Sequence, residues 1–441
     1  MKTRILRIAA VISLAAKGAT LGAIAESAEP QTSTQTSNCV VLSNGIRIVS
    51  VYFPGSTNVS IYSFLPLGLT WDGPHQAQWS HLVEHLVIRS TVHGSLSTAN
   101  AETLPDHMRL DFYGNTNNWQ KGLEHHRRWL EGVPFSATNL PAEKRKVKAE
   151  GSNVAGRLFT GKFALAAWAQ GFRHGLTNAS VQGDIDRASL EDIQTYRDHH
   201  LVVLSNIVVC VVGGIPPAQV CPVVAQALGA IKSTAVAPPT LKLHPGNREM
   251  TWDLPARHVV ITWPIPDMKA RDFPALLVSA QWLNMQLFQD SELKAITGQI
   301  FAGADLTIPE GNFFYVSASL RPQATAEEIR DKAQHYQKLL SSSKGEEIAM
   351  LPQISQQLAE NLRTLPDLAI VKSQMPATVK DSMIEGNMGL QWGMNEFRYG
   401  DGRTKLVEAL LGLKIEEIQR VSRNYLEDSK RSVTVLQPAT P

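Results

Sequence analysis

A short stretch, Trp79–Val87, contains the pattern H-x-x-E-H and constrains the chain more than any other segment. On a helix, His81 and His85 lie one turn apart, and Glu84 lies on the same side. Two imidazoles on adjacent turns can bind one zinc ion, and a neighbouring carboxylate can act as a general base toward water. The order of these residues is that of the inverted zincins, not the H-E-x-x-H order of thermolysin-like enzymes.

The same spacing has a simpler interpretation, in which two surface or core histidines bind no metal. A zinc site needs a third protein ligand, and the segment Pro141–Glu150 is a candidate source. It has strong helix formers with proline near its start, and it places Glu143 and Glu150 two turns apart on one face. One carboxylate could complete a His-His-Glu site while the other orients a histidine. The alternative is an ordinary solvated helix, which is the usual fate of a Lys/Glu-rich run.

The composition excludes some classes of function. The chain has 441 residues, of which 43% are hydrophobic and 19% charged, as is typical of soluble globular proteins with two or more domains. Its net charge is only +2, whereas a nucleic-acid-binding protein usually has a strongly basic surface. We therefore expect no nucleic-acid partner. Three cysteines predict neither a disulfide framework nor a zinc finger, although a single disulfide bond stays open.

The first 25 residues are typical of a secretory signal peptide. Lys2, Arg4 and Arg7 form a basic end, Ile8–Ala16 is apolar, and Ala23–Ala25 has the form of a cleavage site. This pattern predicts a periplasmic or secreted protein with no membrane span once the signal is removed. The alternative is a disordered N-terminal arm on a cytosolic protein.

The rest of the chain shows the same order of elements twice. A strand at His258–Trp263 and a helix at Asp272–Leu287 repeat the plan of the segment that carries His81. Ile415–Gln419 echoes Leu190–Gln194, and each precedes a helix and a strand. These echoes predict a duplicated domain whose second copy lacks H-x-x-E-H. The predicted division is a flexible lead-in at 26–37, a catalytic domain at 38–232, a linker at 233–243 and a non-catalytic domain at 244–441.

Together these residues resemble the insulinase (pitrilysin, or mitochondrial-processing-peptidase-like) family of zinc peptidases, from about residue 38 to the C-terminus. The resemblance implies an α/β (α+β) fold of two homologous domains, each a mainly antiparallel sheet covered by helices, around a clam-shell chamber. It implies one zinc ion per chain, with His81, His85 and Glu150 as ligands. Glu84 would be the general base, and Glu143 the helper carboxylate that orients the site. The implied activity is that of an endopeptidase acting on peptides or unfolded protein segments.

One departure from the family lies between the zinc-binding motif and the glutamate helix. The spacing from His85 to Glu150 is shorter than is usual in the family, and we place the missing residues after Gly114. There the family has an edge strand that pairs with the substrate backbone. We interpret Asn115–Trp119 as a reduced version of that strand, with Asn117 as a substrate-binding residue.

A second departure lies in the non-catalytic half. Active single-chain relatives have an arginine and, seven residues later, a tyrosine that bind substrate and stabilise the oxyanion. Here Lys294 and Phe301 stand at these positions as substrate-binding candidates, but lysine lacks the bidentate fork and phenylalanine lacks a hydroxyl donor. The chain thus resembles the zinc-bearing member of a homo- or heterodimer whose related partner carries the Arg/Tyr pair. The alternative is a non-catalytic assembly or binding subunit of the same fold.

Overall fold

The computed structural model describes residues 36–93, 98–152, 178–201, 206–232, 246–252, 254, 256–308 and 312–438. These residues form two mixed sheets with helices packed against them. The strands are β1 Thr36–Val41, β2 Arg47–Tyr52, β3 Asn58–Leu65, β4 Ala99–Thr103, β5 Met108–Asn115, β6 Val208–Gly213, β7 Gly246–Trp252, β8 His258–Pro264, β9 Thr297–Gly303, β10 Phe313–Leu320 and β11 Ser432–Pro438.

The α-helices of the described residues lie between these strands, either singly or in runs. They are α1 Trp79–Arg89, α2 Trp119–Glu131, α3 Leu140–Ser152, α4 Asn178–Arg187, α5 Leu190–His200, α6 Pro217–Leu228, α7 Phe273–Gln289, α8 Ser291–Ile296, α9 Ala326–Ser342, α10 Leu351–Arg363, α11 Leu368–Ser373, α12 Asp381–Tyr399, α13 Arg403–Leu411 and α14 Ile415–Tyr425. None of the described helices is both long enough and apolar enough to cross a membrane.

The two sheets have the same topology. The first has the order β1-β2-β6-β3-β5-β4, and the second has the order β7-β11-β8-β10-β9. Without β1, the orders correspond strand for strand, and so do the directions, since β2 pairs with β6 and β7 with β11 in parallel while the other pairs are antiparallel. The predicted fold class, two homologous and mainly antiparallel domains, is confirmed.

The central strands are buried because their sequences are continuously apolar. The six residues of β6 are all buried, and β3 is buried from Val59 to Leu65. Such runs are typical of strands covered on both faces. Helices α1, α2, α5 and α6 contribute to the apolar cluster on one face of the first sheet. Equivalent helices, including α7 and α14, cover the second sheet.

Helix α12 covers the other face of the first sheet, although its sequence lies in the second half. Its glycines allow the helix backbone to approach the strands closely. A Cβ atom at Gly389 would overlap the side chain of Val212, and one at Gly393 would lie 2.8 Å from Phe64 Cε2 and 2.9 Å from Cys210 Cβ. The two halves therefore share one core.

Several predictions concern residues beyond those described. The predicted signal peptide at 1–25 and the linker at 233–243 lie outside the described residues, as does the lead-in up to residue 35. The proposed domain boundaries therefore stay predictions. The three cysteines are free thiols, with Cys210 buried, Cys221 partly buried and Cys39 exposed.

The interpretation of Asn115–Trp119 as the edge strand is wrong. The edge of the first sheet on this side is β4, which pairs only with β5 in the described sheet. Asn117 lies in the turn that joins β5 to α2, at the end of β5 far from Met108. Since Ala99 pairs with Phe112, β5 continues past the near end of β4 before the turn that contains Asn117. Asn117 was assigned to substrate binding because it was expected on an edge strand, and it does not lie on one.

Candidate metal centre

Helix α1 is held by a buried carboxylate at its start. Asp72 accepts hydrogen bonds from the backbone N–H of Ser80 (3.0 Å) and from the hydroxyl of Tyr196 on α5 (2.8 Å). These bonds satisfy a helix N–H that has no partner within the helix, and they fix α1 relative to α5. Burial raises the pKa of Asp72 to about 7, against the opposing effect of these hydrogen bonds. The position of the H-x-x-E-H residues is therefore set from outside the helix.

The three predicted metal ligands meet between α1 and α3. The Glu150 carboxylate Oε2 lies 3.4 Å from His81 Nε2 and 3.7 Å from His85 Nε2. One candidate ligand atom from each of the three residues lies within 4.8 Å of the others. The short chain between His85 and Glu150 thus suffices to bring α3 against α1.

Glu143 lies on the other side of His85. Its Oε2 is 2.8 Å from His85 Nδ1, while its Oε1 is 2.6 Å from the Lys146 ammonium and 3.5 Å from Arg89 Nε. Burial alone would raise the pKa of Glu143, but hydrogen bonds from His85 and Lys146 outweigh it and lower the pKa to about 2. An ionised carboxylate at Nδ1 makes this nitrogen the donor and leaves Nε2 to face Glu150.

The electrostatics of the group favour a cation. Burial would lower the pKa of His85, but its hydrogen bonds to Glu143 and Glu150 outweigh burial and raise the pKa to about 9. Burial would raise the pKa of Glu150, but hydrogen bonds from His81 and His85 hold it well below its usual range. The pocket therefore attracts positive charge at the position between the imidazoles and the carboxylate. Two imidazoles and one carboxylate are also a donor set that suits a catalytic zinc ion with an open position.

Glu84 lies beside the same group but points to the sheet. It is buried, and its Oε2 accepts a 2.8 Å hydrogen bond from the Thr103 hydroxyl at the end of edge strand β4. This bond holds the carboxylate between the histidines and the unpaired edge of the sheet. Thr103 was not predicted from the sequence, because Ala99–Thr103 has few residues that favour strands.

The two candidates of the second half make contacts of their own. Lys294 is exposed on α8, with its ammonium 5.5 Å from the centre of the Phe288 ring. Phe301 lies on edge strand β9, and its ring packs edge-to-face on Tyr315. Within the part of the chain that the structure describes, neither forms a hydrogen bond, ion pair or ring contact with the candidate metal ligands. Direct contacts thus join the three metal-site residues to one another but do not extend to these two.

Comparisons with known proteins agree with this architecture. Residues 187–348 match the model of the Peptidase M16 inactive domain. No curated protein sequence matches the chain significantly.

Solved structures with a similar fold span nearly the whole chain. A protease from Helicobacter pylori has 17% sequence identity and a TM-score of 0.64, and the alignment covers 92% of this chain and 100% of that one. A peptidase M16 inactive domain from Pseudomonas fluorescens has 13% identity and a TM-score of 0.57, over 92% of this chain and 98% of that one. The periplasmic protease PqqL from Escherichia coli has 13% identity and a TM-score of 0.58, over 93% of this chain and 48% of that longer one.

The fold is therefore that of the M16-like, two-domain α/β peptidases. The matched segment extends across the predicted division between the halves, and together with the similar folds it supports the resemblance to the insulinase/pitrilysin-like (M16) family that the motifs predicted. The family model that matches is that of the inactive domain, so catalytic activity is a separate question.

Proposed function

We propose that the protein is a zinc-dependent endopeptidase that hydrolyses peptides or unfolded protein segments. The observation that carries this proposal is the meeting of His81, His85 and Glu150 around one point, with Glu84 beside them on the same helix. A subunit that only binds a partner has no need for three converging ligands and a buried general base. We assign one zinc ion per chain to this site.

Each residue has a distinct task in this proposal. When bound, zinc would act as a Lewis acid that polarises both the scissile carbonyl and a water molecule. Glu84 accepts the proton of the attacking water and returns it to the leaving amine. Glu143 holds His85 in the tautomer whose Nε2 is free to bind metal. The Thr103 hydroxyl holds Glu84 in place throughout.

The edge of the first sheet is the proposed substrate-binding surface. Strand β4 has one partner, β5, so the backbone N–H and C=O groups on its outer side have no sheet partner among the described strands. An extended peptide can add to such an edge as a further strand. Because Thr103 contacts Glu84, a peptide on β4 would pass close to the general base. Recognition would rest on the peptide backbone, which suits unfolded segments of varied sequence.

The second half supports a role for a partner chain. Lys294 and Phe301 cannot supply the guanidinium and phenol that the family resemblance associates with full activity. A related chain that carries the Arg/Tyr pair, in a homo- or heterodimer, would provide them. We also propose a periplasmic or secreted location, which the signal-like N-terminus favours and which would match that of PqqL.

The competing proposal is a non-catalytic assembly or binding subunit. It is favoured by the match of residues 187–348 to an inactive-domain model and by the absence of the Arg/Tyr pair. The two proposals differ in one measurable property, which is peptide cleavage that depends on Glu84.

The experiment measures zinc content and cleavage of internally quenched peptides for the wild type and for Glu84→Gln, alone and with a related M16 chain. Glu131→Gln is the matched control, because this exposed glutamate on α2 pairs only with Arg127 in the described contacts. We expect about one zinc ion in all three proteins and cleavage in all but Glu84→Gln. Zinc without Glu84-dependent cleavage in either preparation would favour the binding subunit, and a wild type without zinc would refute both the metal site and the peptidase.

A further inference from the structure

The residue before helix α1 has an unusual backbone. Gln78 has φ 66° and ψ 14°, in the left-handed region that residues with a side chain rarely adopt. Among the described non-glycine residues, only His75, three positions earlier, also has a positive φ. A conformation of this kind persists where the surrounding structure holds it in place.

The neighbouring contacts hold Gln78 in this conformation. The Asp72 carboxylate accepts a hydrogen bond from the backbone of Gln78 as well as from that of Ser80. Just before it, the backbone N–H of Ala77 donates to the Asp184 carboxylate at 3.2 Å. Two buried carboxylates therefore fix the turn that leads into the helix.

The consequence of this backbone is the position of the Gln78 side chain. At the residue preceding a helix, a polar side chain usually caps the free N–H groups, but that of Gln78 does not. Its amide Oε1 lies 3.0 Å from Nδ1 of His81 instead. An acceptor at this atom requires Nδ1 to carry a proton, so Nε2, which faces Glu150, is the nitrogen that the neutral imidazole can offer to a metal ion.

The two histidines thus have matched but unequal partners. His85 Nδ1 faces a carboxylate, that of Glu143, while His81 Nδ1 faces a neutral amide. A protonated Nε2 cannot bind a metal ion, so both partners select the same useful tautomer. The neutral partner does this without adding a further negative charge to a group that already contains Glu84, Glu143 and Glu150.

We infer that Gln78 is a positioning residue, held in a left-handed conformation so that its amide oxygen fixes the tautomer and ring orientation of His81 for metal binding. This inference rests on the proposed zinc site. It explains why a long side chain occupies a backbone position that glycine would adopt more easily.

The test compares zinc affinity, measured by competition with a chromophoric chelator, with the melting temperature of the metal-free protein. In Gln78→Gly we expect zinc affinity to fall roughly 10–100-fold, the usual effect of removing the partner of a ligand. The melting temperature should stay the same or rise, because glycine adopts a positive φ readily. In Gln78→Glu the acceptor is kept, and the affinity should return to within a few-fold of the wild type.

His75→Gly is the matched control, because it relieves the same backbone conformation (φ 63°) at an exposed residue without a contact to His81 in the described structure. Its zinc affinity should equal that of the wild type. Wild-type affinity in Gln78→Gly, or equal weakening in Gln78→Gly and Gln78→Glu, would overturn the inference. Failure of the zinc site itself is distinguishable, since the wild type would then bind no stoichiometric zinc or His81→Ala would bind it as tightly as the wild type.

Discussion

The two halves of the molecule use equivalent helices for different purposes. Helix α1 buries His81 and Glu84 on the face that packs toward edge strand β4. Helix α7 packs on edge strand β9 in the same way, yet its buried residues are apolar apart from Ser279. The same topology thus accommodates either ionisable or apolar side chains between this helix and the edge strand. Capacity for chemistry in this fold therefore belongs to a few side chains rather than to the arrangement of strands and helices.

The polar face of α1 depends on neighbours that α7 does not need. Glu143 and Glu150 come from α3, and Thr103 comes from β4. In the second half, Asn284 on α7 accepts a hydrogen bond from the backbone of Ala302 on β9, a contact that fixes the strand and involves no ionised group. At this position the first half therefore has several ionisable side chains, whereas the second half has mainly apolar ones.

The largest effect should follow from removing the ligand that joins α1 to α3. Glu150→Ala removes a proposed ligand itself, so zinc affinity should fall by more than the roughly 10–100-fold typical of losing a ligand's partner. Chelator competition measures the affinity, with Glu131→Ala as an exposed control on α2. If Glu150→Ala bound zinc as tightly as the wild type does, Glu150 would not be a zinc ligand and the proposed site in the first half would be wrong.

The next effect should come from equipping the second half. The double variant Lys294→Arg with Phe301→Tyr adds a guanidinium and a phenol, and one oxyanion donor can contribute about a hundredfold in rate. We expect kcat of the chain alone to rise by up to about that factor, with zinc content unchanged. The single variants separate the two contributions. An unchanged kcat would show that these positions do not face the substrate. The same conclusion would follow if a related chain raised the kcat of the wild type and of the double variant by the same factor.

A smaller effect is expected where the halves share their core. Gly389→Ala places a methyl group against Val212, and overpacking of this kind usually destabilises by about 1–3 kcal/mol. Gly402→Ala is the control, because a Cβ there meets nothing within 4 Å. Urea unfolding gives the free energy of unfolding for both. Equal values for the two variants would mean that α12 does not press on the first sheet as closely as described.

The smallest effect concerns a buried histidine in each half. Burial lowers the pKa of His126 to about 3 and that of His258 to about 4, from an ordinary value of 6.5. Below pH 6.5 the unfolded chain therefore binds protons that the folded chain does not, and stability falls as the pH falls toward these values. Each histidine contributes at most about 1.4 kcal/mol per pH unit in this window.

Replacing one histidine should remove its share of this slope. Metal-free His126→Gln and His258→Gln should each lose less stability than the wild type between pH 7 and pH 5 in urea unfolding. Because Nδ1 of His126 is 2.7 Å from the Ser63 hydroxyl, glutamine can keep a hydrogen bond there. Exposed His93→Gln is the control and should keep the wild-type slope. A slope as steep as that of the wild type in His126→Gln would contradict the assignment.

The sequence was sufficient where a pattern repeats along a helix. The spacing of His81, Glu84 and His85 and that of Glu143 and Glu150 follow from the helical period, so the structure could bring them together as expected. The echo of Leu190–Gln194 in Ile415–Gln419 also predicted equivalent helices, α5 and α14, each before the strand that pairs in parallel.

Other features could not be predicted because their causes lie far away in the sequence. Strand β4 contains alanine, asparagine and glutamate, which disfavour strands, and only pairing with β5 makes it one. The left-handed backbone of Gln78 depends on buried Asp72 and Asp184, and no local residue type signals it. The glycines of α12 weaken a helix by their own propensity, and their close approach to the first sheet becomes evident only in three dimensions.

The crossing of α12 onto the first sheet has a consequence for biosynthesis. The last strand of that sheet ends at Gly213, and α12 begins at Asp381, so the ribosome must add roughly 170 residues before the covering helix exists. At bacterial or eukaryotic elongation rates this takes on the order of 10 s. During that interval the apolar face that includes Val212 and Phe64 has no α12 to cover it. One face of the first sheet is therefore covered only after translation has passed α12, which ends at Tyr399.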